Sequence, residues 1–537
     1  MTTLYLCEKP SQARALAKAI GAHRAESGAF EGDGVIVTHC YGSMLSLATP
    51  DHYLNDSAWL VEALPVVPDK WDLVVIPAVR DQFAKIGHLL GRADQAVIAT
   101  DPDDAGEVIG RHVLMAHGFN KPVKRLWASA LDSNSLLTAV KNLLDLSETE
   151  SYYRAGLVRM KMDWLFGMNL TRLFSIARGT TSKIGRVKTR LLGELIKREQ
   201  EISGYVPSST YQVSLQSNGV QFDSTLRGFA TMPNLGYTAK CLSVMEDTVE
   251  LAPPAPFTLS GLLSQVAAVD GISLAAAYAA TQSLYECGLI SYPRTSSTQL
   301  PDTNSAGFAN HHAIIPVTTN ANISSLGEVE LAVYRAISKN YDMNLMGPSV
   351  LSRSIVLLEV DGMTFNHVSL AIKHESDPGW LLMTSDEYAR YRRPGLPAGV
   401  FVAGRSYPIR TDVKVCTSSP PPRYTEASLL DMIVRQNIGT EATRVSEIGS
   451  LISDGVASLV DGAFLPTGLG RNLINDLPSA VKGPDMSVMV QMAMASARLS
   501  GLDKPHLAAA ERWLQDMVSL VRSQCQKSSS RSLSECV

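Results

Sequence analysis

No apolar run in the 537-residue chain approaches the roughly 18 residues that a membrane-spanning helix needs, and Glu8 and Lys9 lie where a signal peptide would have its apolar core. We therefore predict a cytoplasmic protein without a membrane anchor. The seven cysteines include no Cys-x-x-Cys pair, which argues against a zinc ribbon and against a disulfide framework. The sequence also contains no internal repeats.

An overall excess of basic residues is missing too, because the formal net charge is −4. This argues against a protein that coats nucleic acid with its whole surface. The balance is uneven, since residues 151–200 hold eleven Lys and Arg against three acids and carry +8, whereas the rest of the chain carries −12. Such a run is often only a solvated helix face, but so one-sided an excess in an acidic chain favours contact with a polyanion.

Two short apolar strand patterns in the first 110 residues each end in charged side chains, which are Glu8 and Lys9 after residues 3–7 and Asp101, Asp103 and Asp104 after residues 95–100. Open α/β sheets build their sites at the carboxyl ends of strands, so these are candidate site residues. Three aspartates within four residues suit a hard cation such as Mg²⁺. An Asp-rich helix N-cap explains them equally well.

Tyr292 ends a short apolar segment and is followed at once by Pro293 and Arg294. The proline interrupts regular structure, so a phenol and a permanent cation lie together where a strand ends. A phenol is protonated at neutral pH and needs a nearby base or cation to act as a nucleophile, and Arg294 also matches the charge of a phosphodiester. Taken alone, the pattern is more typical of a strand tyrosine beside a surface arginine.

Three neighbouring motifs change this interpretation: Ala-Thr-Gln-Ser-Leu-Tyr-Glu at 280–286, Tyr-Pro-Arg-Thr at 292–295 and Asn-His-His-Ala-Ile-Ile-Pro at 310–316. Together they resemble the active-site domain of type IA DNA topoisomerases, particularly the topoisomerase III branch. The resemblance runs from near residue 3 to about residue 515. It implies a multidomain α/β plus α+β fold, in which a Rossmann-like Toprim domain belongs to a toroidal core that opens to pass DNA.

The resemblance also implies an activity. Tyr292 would attack one DNA strand and form a 5′-phosphotyrosine link, after which strand passage and religation relax negative supercoils or decatenate DNA without ATP. Glu8 would be the general acid/base, Lys9 and Arg294 would hold the phosphate, and His311 would donate a hydrogen bond to it. Glu8, Asp101 and Asp103 would carry Mg²⁺. The expected substrate is single-stranded, negatively supercoiled or catenated DNA, and the expected state is a monomer.

Several positions depart from the family pattern. The Toprim motif reads Asp-x-Asp-x-Glu with an arginine usual before the Glu, whereas this chain has Ala105 in the third acidic position and Asp104 in place of the arginine. Asp104 or Glu107 are the candidates to compensate. Ser296 replaces an aspartate common after Tyr-x-Arg-Thr, and the 18 residues between Tyr292 and His311 are fewer than usual.

A further set of residues is implied to contact DNA. Arg159 and Asp163 are four residues apart on one helical face, although a surface salt bridge explains them as well. Residues 183–189 resemble the family's Val-Gly-Arg-Val-Gln-Thr, a glycine-assisted turn that brings amides and cations to phosphates. The full predicted set is Arg159, Asp163, Lys183, Gly185, Arg186, Lys188, Gln282, Tyr285, Glu286, Thr440, Thr443 and Arg444.

Turn and proline signals predict how the chain is divided. Asn218-Gly219 and Asp361-Gly362 each favour a β-hairpin, and proline-rich stretches read as boundaries. The expected domains are a Toprim metal domain at 1–150, a basic helical single-strand-binding domain at 151–205 and 423–537, a β-rich arch at 206–256 and 346–422, and a helical domain carrying Tyr292 at 257–345.

Two other functions stay open on these residues. One is a single-stranded-DNA-binding accessory protein whose chemistry is weakened at Ala105. The other is a Toprim nuclease or tyrosine relaxase that cuts without strand passage. Glu8, Tyr292 and Arg294 argue against lost chemistry, and the matches on both sides of the ring argue against a simple nuclease.

Overall fold

The structure is a computed structural model of the chain. It describes residues 1–537 except 27, 55–58, 227, 302–311, 318–322, 375–377, 393–394, 398, 502–503 and 535–537, and no side chains are described for residues 26 and 524–534. His311 therefore lies outside the described residues. Among those that are described, no helix is both long and apolar enough to cross a membrane.

The N-terminal unit is a seven-stranded sheet with helices on both faces. Its elements are β1 (Thr3–Cys7), α1 (Pro10–Ile20), β2 (Arg24–Glu26), β3 (Ala29–Gly32), β4 (Val35–His39), β5 (Leu45–Leu47), α2 (Pro50–Tyr53), β6 (Leu73–Val75), α3 (Arg80–Arg92), β7 (Gln95–Ala99), α4 (Asp104–Ala116), β8 (Val123–Arg125), α5 (Ser133–Lys141) and β9 (Leu144–Asp145). The sheet order is β2-β3-β4-β1-β7-β8-β9, and β4, β1, β7 and β8 run parallel. The short strands β5 and β6 pair separately.

Both faces of this sheet are buried, which explains the nearly continuous apolar strands. Along β1, Leu4 and Leu6 face one core, whereas Tyr5 and Cys7 face a second core. That second core continues through the long helices and the tyrosine-bearing region described below. The N-terminal unit is therefore packed into the rest of the molecule through one face of its sheet.

The remaining helices outside the sheets form a cradle and an insert. The cradle helices are α6 (Glu150–Arg178), α7 (Arg186–Ser203), α12 (Glu426–Arg435), α13 (Arg444–Ser453), α14 (Gly468–Asn475), α15 (Ser479–Lys482), α16 (Asp485–Ser500) and α17 (Lys504–Ser534), with a hairpin of β17 (Ala457–Val460) and β18 (Ala463–Pro466). The insert is α8 (Leu259–Val269), α9 (Leu274–Glu286) and α10 (Glu328–Met346). Helix α6 packs against α4, α16 and α17.

A second seven-stranded sheet, the arch sheet, is antiparallel and takes strands from both sides of the insert. Its elements are β10 (Ser209–Ser217), β11 (Val220–Ser224), β12 (Thr238–Leu251), β13 (Ser349–Val360), β14 (Met363–Ile372), α11 (Ser385–Tyr391), β15 (Ser406–Pro408) and β16 (Arg410–Thr417), in the order β15-β12-β13-β14-β11-β10-β16. Asn218-Gly219 joins β10 to β11 and Asp361-Gly362 joins β13 to β14, all four residues with positive φ, which confirms both predicted hairpins.

Three acidic residues of the cradle hold the insert. Glu441 accepts hydrogen bonds from the Ser260 backbone N–H (2.8 Å) and hydroxyl (2.6 Å), at the start of α8. Asp431 accepts from the Ser264 hydroxyl, and Glu426 accepts from the backbone N–H of Leu274 at the start of α9. Carboxylates at helix N-termini satisfy backbone donors that have no partner within the helix. The insert is thus docked on the cradle by polar contacts as well as by the shared core.

Candidate active site

The parallel register of β1 and β7 brings their carboxyl ends side by side. Cys7 is opposite Ala99, so Glu8 lies beside the segment that begins at Thr100. The backbone N–H of Asp101 donates to Glu8 Oε2 at 3.1 Å. Both side chains are buried, Glu8 with 4% and Asp101 with 1% exposure. The two strand ends thus bring these carboxyl groups together, as the family resemblance implied.

Asp103 begins helix α4 and also meets the tyrosine of the insert. Its Oδ1 accepts from the backbone N–H of Gly106 at 2.7 Å, so the N-cap interpretation is confirmed. Its Oδ2 accepts a hydrogen bond of 2.7 Å from the Tyr292 phenol. The strand predicted to end at Tyr292 is absent from the described part of the chain, since Ile290 forms only an isolated bridge with Pro316. The Tyr292 backbone N–H instead donates to the carbonyl of Ser129 at 2.7 Å, which fixes this segment against the N-terminal unit. The phenol is only 3% exposed.

Two cations balance the carboxylates. Arg294 Nη1 lies 3.1 Å from Asp101 Oδ2 and 3.9 Å from Glu8 Oε1, and Lys9 Nζ lies 3.8 Å from the same Asp101 oxygen. Gln12 donates to the other Asp101 oxygen and accepts from the Glu8 backbone N–H. Arg294 Nε is buried and has no hydrogen-bond partner among the described residues. A buried donor of this kind is available to an incoming oxygen anion.

The electrostatics separate the protonation states of the groups. Burial, reinforced by Asp101 and Asp103, raises the pKa of Glu8 to about 8. Burial also raises the pKa of Tyr292 well above its ordinary value, with Asp103 and Asp101 adding to the effect. Burial opposes the charge on Asp103, but Arg294 and the hydrogen bonds from Gly106 and Tyr292 hold its pKa below the usual value. At neutral pH Asp103 is therefore ionised and accepts the hydrogen bond from the Tyr292 phenol, whereas Glu8 carries a proton that it can donate.

Neither residue considered as a substitute for the missing third acid joins this cluster. Glu107 is fully buried and binds Arg125, Arg111 and Thr149. Arg125, also fully buried, donates to the backbone carbonyls of Ile98, Thr100 and Asp101, which end β7 and begin the next loop, and to that of Leu126, which follows β8. Asp104 binds Arg498 of α16, with both carboxylate oxygens 2.6 Å from Nη2. Glu107 thus supports the loop, and Asp104 connects it to the cradle.

The oxygen-only donor set suits Mg²⁺, though it is smaller than a full cage. Within the described ranges there is no group of three or more His, Cys, Asp or Glu side chains placed to hold a metal ion. Mg²⁺ needs only one or two carboxylates beside water and phosphate oxygens. Asp101 and Asp103 both act to raise the pKa of Glu8, which reflects a concentration of negative charge that a divalent cation would relieve. The fit is thus to a cation that shares its coordination with a bound phosphate.

A cavity of about 430 Å³ opens beside the cluster, between α4 and the loop that precedes α13. Its walls include Asp103, Arg159, Arg294 and Thr440, so the structure brings predicted site residues from distant parts of the chain to one opening. Arg498 and Tyr152 line it as well. Sequence reasoning missed Arg498, Gln12 and Arg125, because each acquires its role through partners that lie far away in the chain.

The other predicted DNA-contacting residues occupy several environments. On the cradle, Arg186 pairs with Asp163 at 2.8 Å, while Lys183 and Lys188 both pair with Asp454. The remaining residues have these contacts: the Gly185 N–H donates to Thr189, Gln282 donates to Glu286, Tyr285 is 1% exposed, Thr440 and Thr443 bond to each other, and Arg444 binds Glu441, Ser260 and the Ile438 carbonyl. Tyr285 and Arg444 therefore have packing and docking roles in this conformation.

Comparison with known proteins gives matches over nearly the whole length. The DNA topoisomerase family model matches residues 147–310 and 303–497, and the Toprim domain model matches residues 3–131. The chain is 26% identical to DNA topoisomerase 3 of Bacillus subtilis, over 90% of this chain and 77% of that protein, and 27% identical to DNA topoisomerase 3 of Vibrio cholerae, over 91% and 89%. Full-length topoisomerase I from Thermotoga maritima is similar in fold, with a TM-score of 0.75, 20% identity and coverage of 96% of this chain and 90% of that one.

Proposed function

The chain belongs to the type IA DNA topoisomerase family, in its topoisomerase III branch, and we propose that Tyr292 is its nucleophile. The observation that supports this assignment is the hydrogen bond from the Tyr292 phenol to Asp103, in a buried cluster that also holds Glu8 and Arg294. As a topoisomerase the protein acts on DNA. The finer proposal is that it cuts one strand, passes DNA through the break, and thereby relaxes negative supercoils or decatenates.

The cluster supplies each proton that the reaction moves. Asp103 takes the phenol proton as the Tyr292 oxygen attacks the phosphorus, which gives a 5′-phosphotyrosine. The bond from phosphorus to the 3′ oxygen breaks, and Glu8 donates a proton to that leaving oxygen. Arg294 and Lys9 stabilise the charge on the phosphoryl oxygens. Religation reverses these steps, and since one phosphoester replaces another, ATP is not required.

Glu8, Asp101 and Asp103 remain the residues expected to carry Mg²⁺, with one or two of these carboxylates at a time sharing the cation with the bound DNA phosphate, whose charge it would neutralise. His311 is again proposed to donate a hydrogen bond to that phosphate. The domain division at 1–150, 151–205 with 423–537, 206–256 with 346–422, and 257–345 belongs to the same proposal, as does action as a monomer. The discontinuous division of the arch is supported by a sheet whose strands come from both sides of the insert.

Relaxation of negatively supercoiled plasmid tests the function. With Mg²⁺ we expect a ladder of topoisomers, and with a chelator in place of Mg²⁺ we expect the supercoiled band to persist. Nicked circles without a ladder would show a nuclease or relaxase instead. Unchanged topology together with shifted single-stranded DNA would show a binding protein.

The paired lysines of α7 and the turn before it allow a test of the DNA path. Lys183, Lys188 and Asp454 line a second cavity, of about 350 Å³, together with Arg178. The hydrogen bond from Lys188, with that from Lys183, holds the pKa of Asp454 below its usual value, and both lysines pair with this one acid. Asp454→Asn should release them to phosphates, tighten single-stranded-DNA binding severalfold, and steepen its salt dependence by about 0.7 per recovered phosphate contact.

Fluorescence anisotropy of a labelled oligonucleotide over a range of salt concentrations measures this change. Asp412→Asn is the matched control, since it removes the same charge from a half-exposed acid of the arch sheet that pairs with Arg410. If Asp412→Asn tightened binding as much, or if Asp454→Asn weakened it, the proposed path along Lys183 and Lys188 would be wrong.

A further inference from the structure

Arg498 lies near the end of α16, and its guanidinium reaches the residue next to the cluster of Glu8, Asp101, Asp103 and Tyr292. Nη2 contacts both oxygens of Asp104, which is next to the Asp103 that holds the Tyr292 phenol. The guanidinium carbon lies 5.3 Å from the centroid of the Tyr152 ring. A cation from the C-terminal part of the cradle therefore contacts the residue that follows Asp103, the acceptor of the Tyr292 hydrogen bond.

The surroundings of Arg498 differ from those of an ordinary salt bridge. Its side chain is 45% exposed and lines the 430 Å³ cavity with Arg159 and Arg294, whereas Asp104 is nearly buried. A guanidinium has five N–H donors, and among the described residues Nη2 alone of its nitrogens has a hydrogen-bond partner. The cation–π contact with Tyr152 and the contact with Asp104 hold the group at the cavity, and the donors on Nε and Nη1 are left for a bound anion.

We propose that Arg498 binds a DNA phosphate next to the one that Tyr292 attacks, and that Asp104 and Tyr152 position it for this contact. The proposal rests on the function given above and adds a residue from the C-terminal part of the chain to the site. Ala105 also lines the cavity and leaves room there, since its side chain ends at the methyl group. A phosphate in this cavity would meet three arginines from three separate segments of the chain, namely Arg159, Arg294 and Arg498.

The rival explanation is that the Asp104–Arg498 pair only clamps the N-terminal unit to the cradle. The two explanations predict different changes in single-stranded-DNA affinity for one pair of variants. If Arg498 binds phosphate, Arg498→Leu weakens single-stranded-DNA binding, whereas Asp104→Asn frees the guanidinium and removes a nearby negative charge, so it tightens binding. If the pair is only a clamp, both variants break the same contact and change binding in the same direction.

The measurement is oligonucleotide anisotropy in the Tyr292→Phe background, which prevents cleavage, over a range of salt concentrations. Arg498→Leu is expected to weaken binding about tenfold and to reduce the salt slope by about 0.7, the value for one lost phosphate contact on a single strand. Arg498→Lys should keep the slope and recover part of the affinity, since it keeps the charge but not the planar fork. Arg512→Leu, an exposed arginine of α17, should change neither.

Three results would overturn the proposal. They are an unchanged slope in Arg498→Leu, equal effects of Arg498→Leu and Arg512→Leu, and a loss of affinity in Asp104→Asn. Binding does not require cleavage, so a failed plasmid ladder in the wild-type protein would contradict the proposed function without affecting this test. Conversely, a wild-type ladder with an unchanged slope in Arg498→Leu would leave the function standing and remove Arg498 from the site.

Discussion

Tyr292→Phe is expected to abolish covalent cleavage of DNA while leaving single-stranded-DNA binding within about twofold of wild type. The substitution removes one oxygen, which is the atom proposed to attack phosphorus, and keeps the ring that packs edge-on against Tyr285. Loss of a covalent nucleophile commonly costs a factor of about 10,000 or more in rate. The measurement is denaturing electrophoresis of a labelled oligonucleotide after incubation with Mg²⁺, which separates protein-linked DNA from free DNA.

The control for this variant is Tyr334→Phe, which removes the hydroxyl of another buried tyrosine of the insert, on α10. It should form the protein-linked product at the wild-type rate. A covalent adduct in Tyr292→Phe would show that another group attacks the phosphate. Loss of the adduct in both variants would indicate a disturbed insert rather than a missing nucleophile.

Arg125→Leu is expected to cause the largest loss of stability, about 3–5 kcal/mol of the free energy of unfolding. The arginine is fully buried and binds Glu107, and it also satisfies the carbonyls of Ile98, Thr100 and Asp101. Its removal leaves Glu107 Oε1 and the Thr100 carbonyl without their donor, and each unpaired buried acceptor costs free energy. The carbonyls of Ile98 and Asp101 keep the backbone N–H groups of Leu126 and Asp103. Urea unfolding measures the change. Should the leucine variant fail to fold, Arg125→Lys should fold but with clearly lower stability, because lysine cannot reach as many carbonyls.

The adjacent residue on the same strand provides the control. Lys124 pairs with Asp145 at 2.6 Å, but the two side chains are 42% and 65% exposed. Exposed ion pairs contribute about 0–1 kcal/mol, so Lys124→Met should change the free energy of unfolding by less than about 1 kcal/mol. A small effect of Arg125→Leu, similar to that of Lys124→Met, would mean that water replaces the arginine at the carbonyls.

The sequence predicts the local parts of the site well. Apolar strand patterns predicted that Glu8 and Asp101 each follow the carboxyl end of a strand, and parallel pairing brings these two ends side by side. Asn218-Gly219 and Asp361-Gly362 specify their turns because both positions need positive φ. Family membership, fold and enzyme class are confirmed by the comparisons, whereas the role of each site residue remains a prediction.

Contacts over long sequence distances could not be predicted in this way. The Asp103–Tyr292 hydrogen bond joins residues 189 apart, and the Asp104–Arg498 pair joins residues 394 apart. Neither side chain of such a pair carries a local signal of its partner. The same limit applies to Glu107, whose position suggested a replacement for the missing acid. Its partner Arg125 is a buried charge in a short strand, and sequence patterns rarely reveal such a charge.

The packing of α6 and α8 on helices from the last quarter of the chain has a consequence for synthesis. A ribosome that has passed residue 300 has made Glu8, Asp101, Asp103 and Tyr292, but α12, α16 and α17 do not yet exist. At about 5–20 residues per second, the 200 residues from residue 300 to the end of α16 at Ser500 take roughly 10–40 s to make. During that interval the nascent chain holds its reactive groups without the surfaces that align them, and it exposes the apolar faces of α6 and α8. We expect chaperones to bind this intermediate, and prematurely terminated chains to be removed by proteolysis before they can cut DNA.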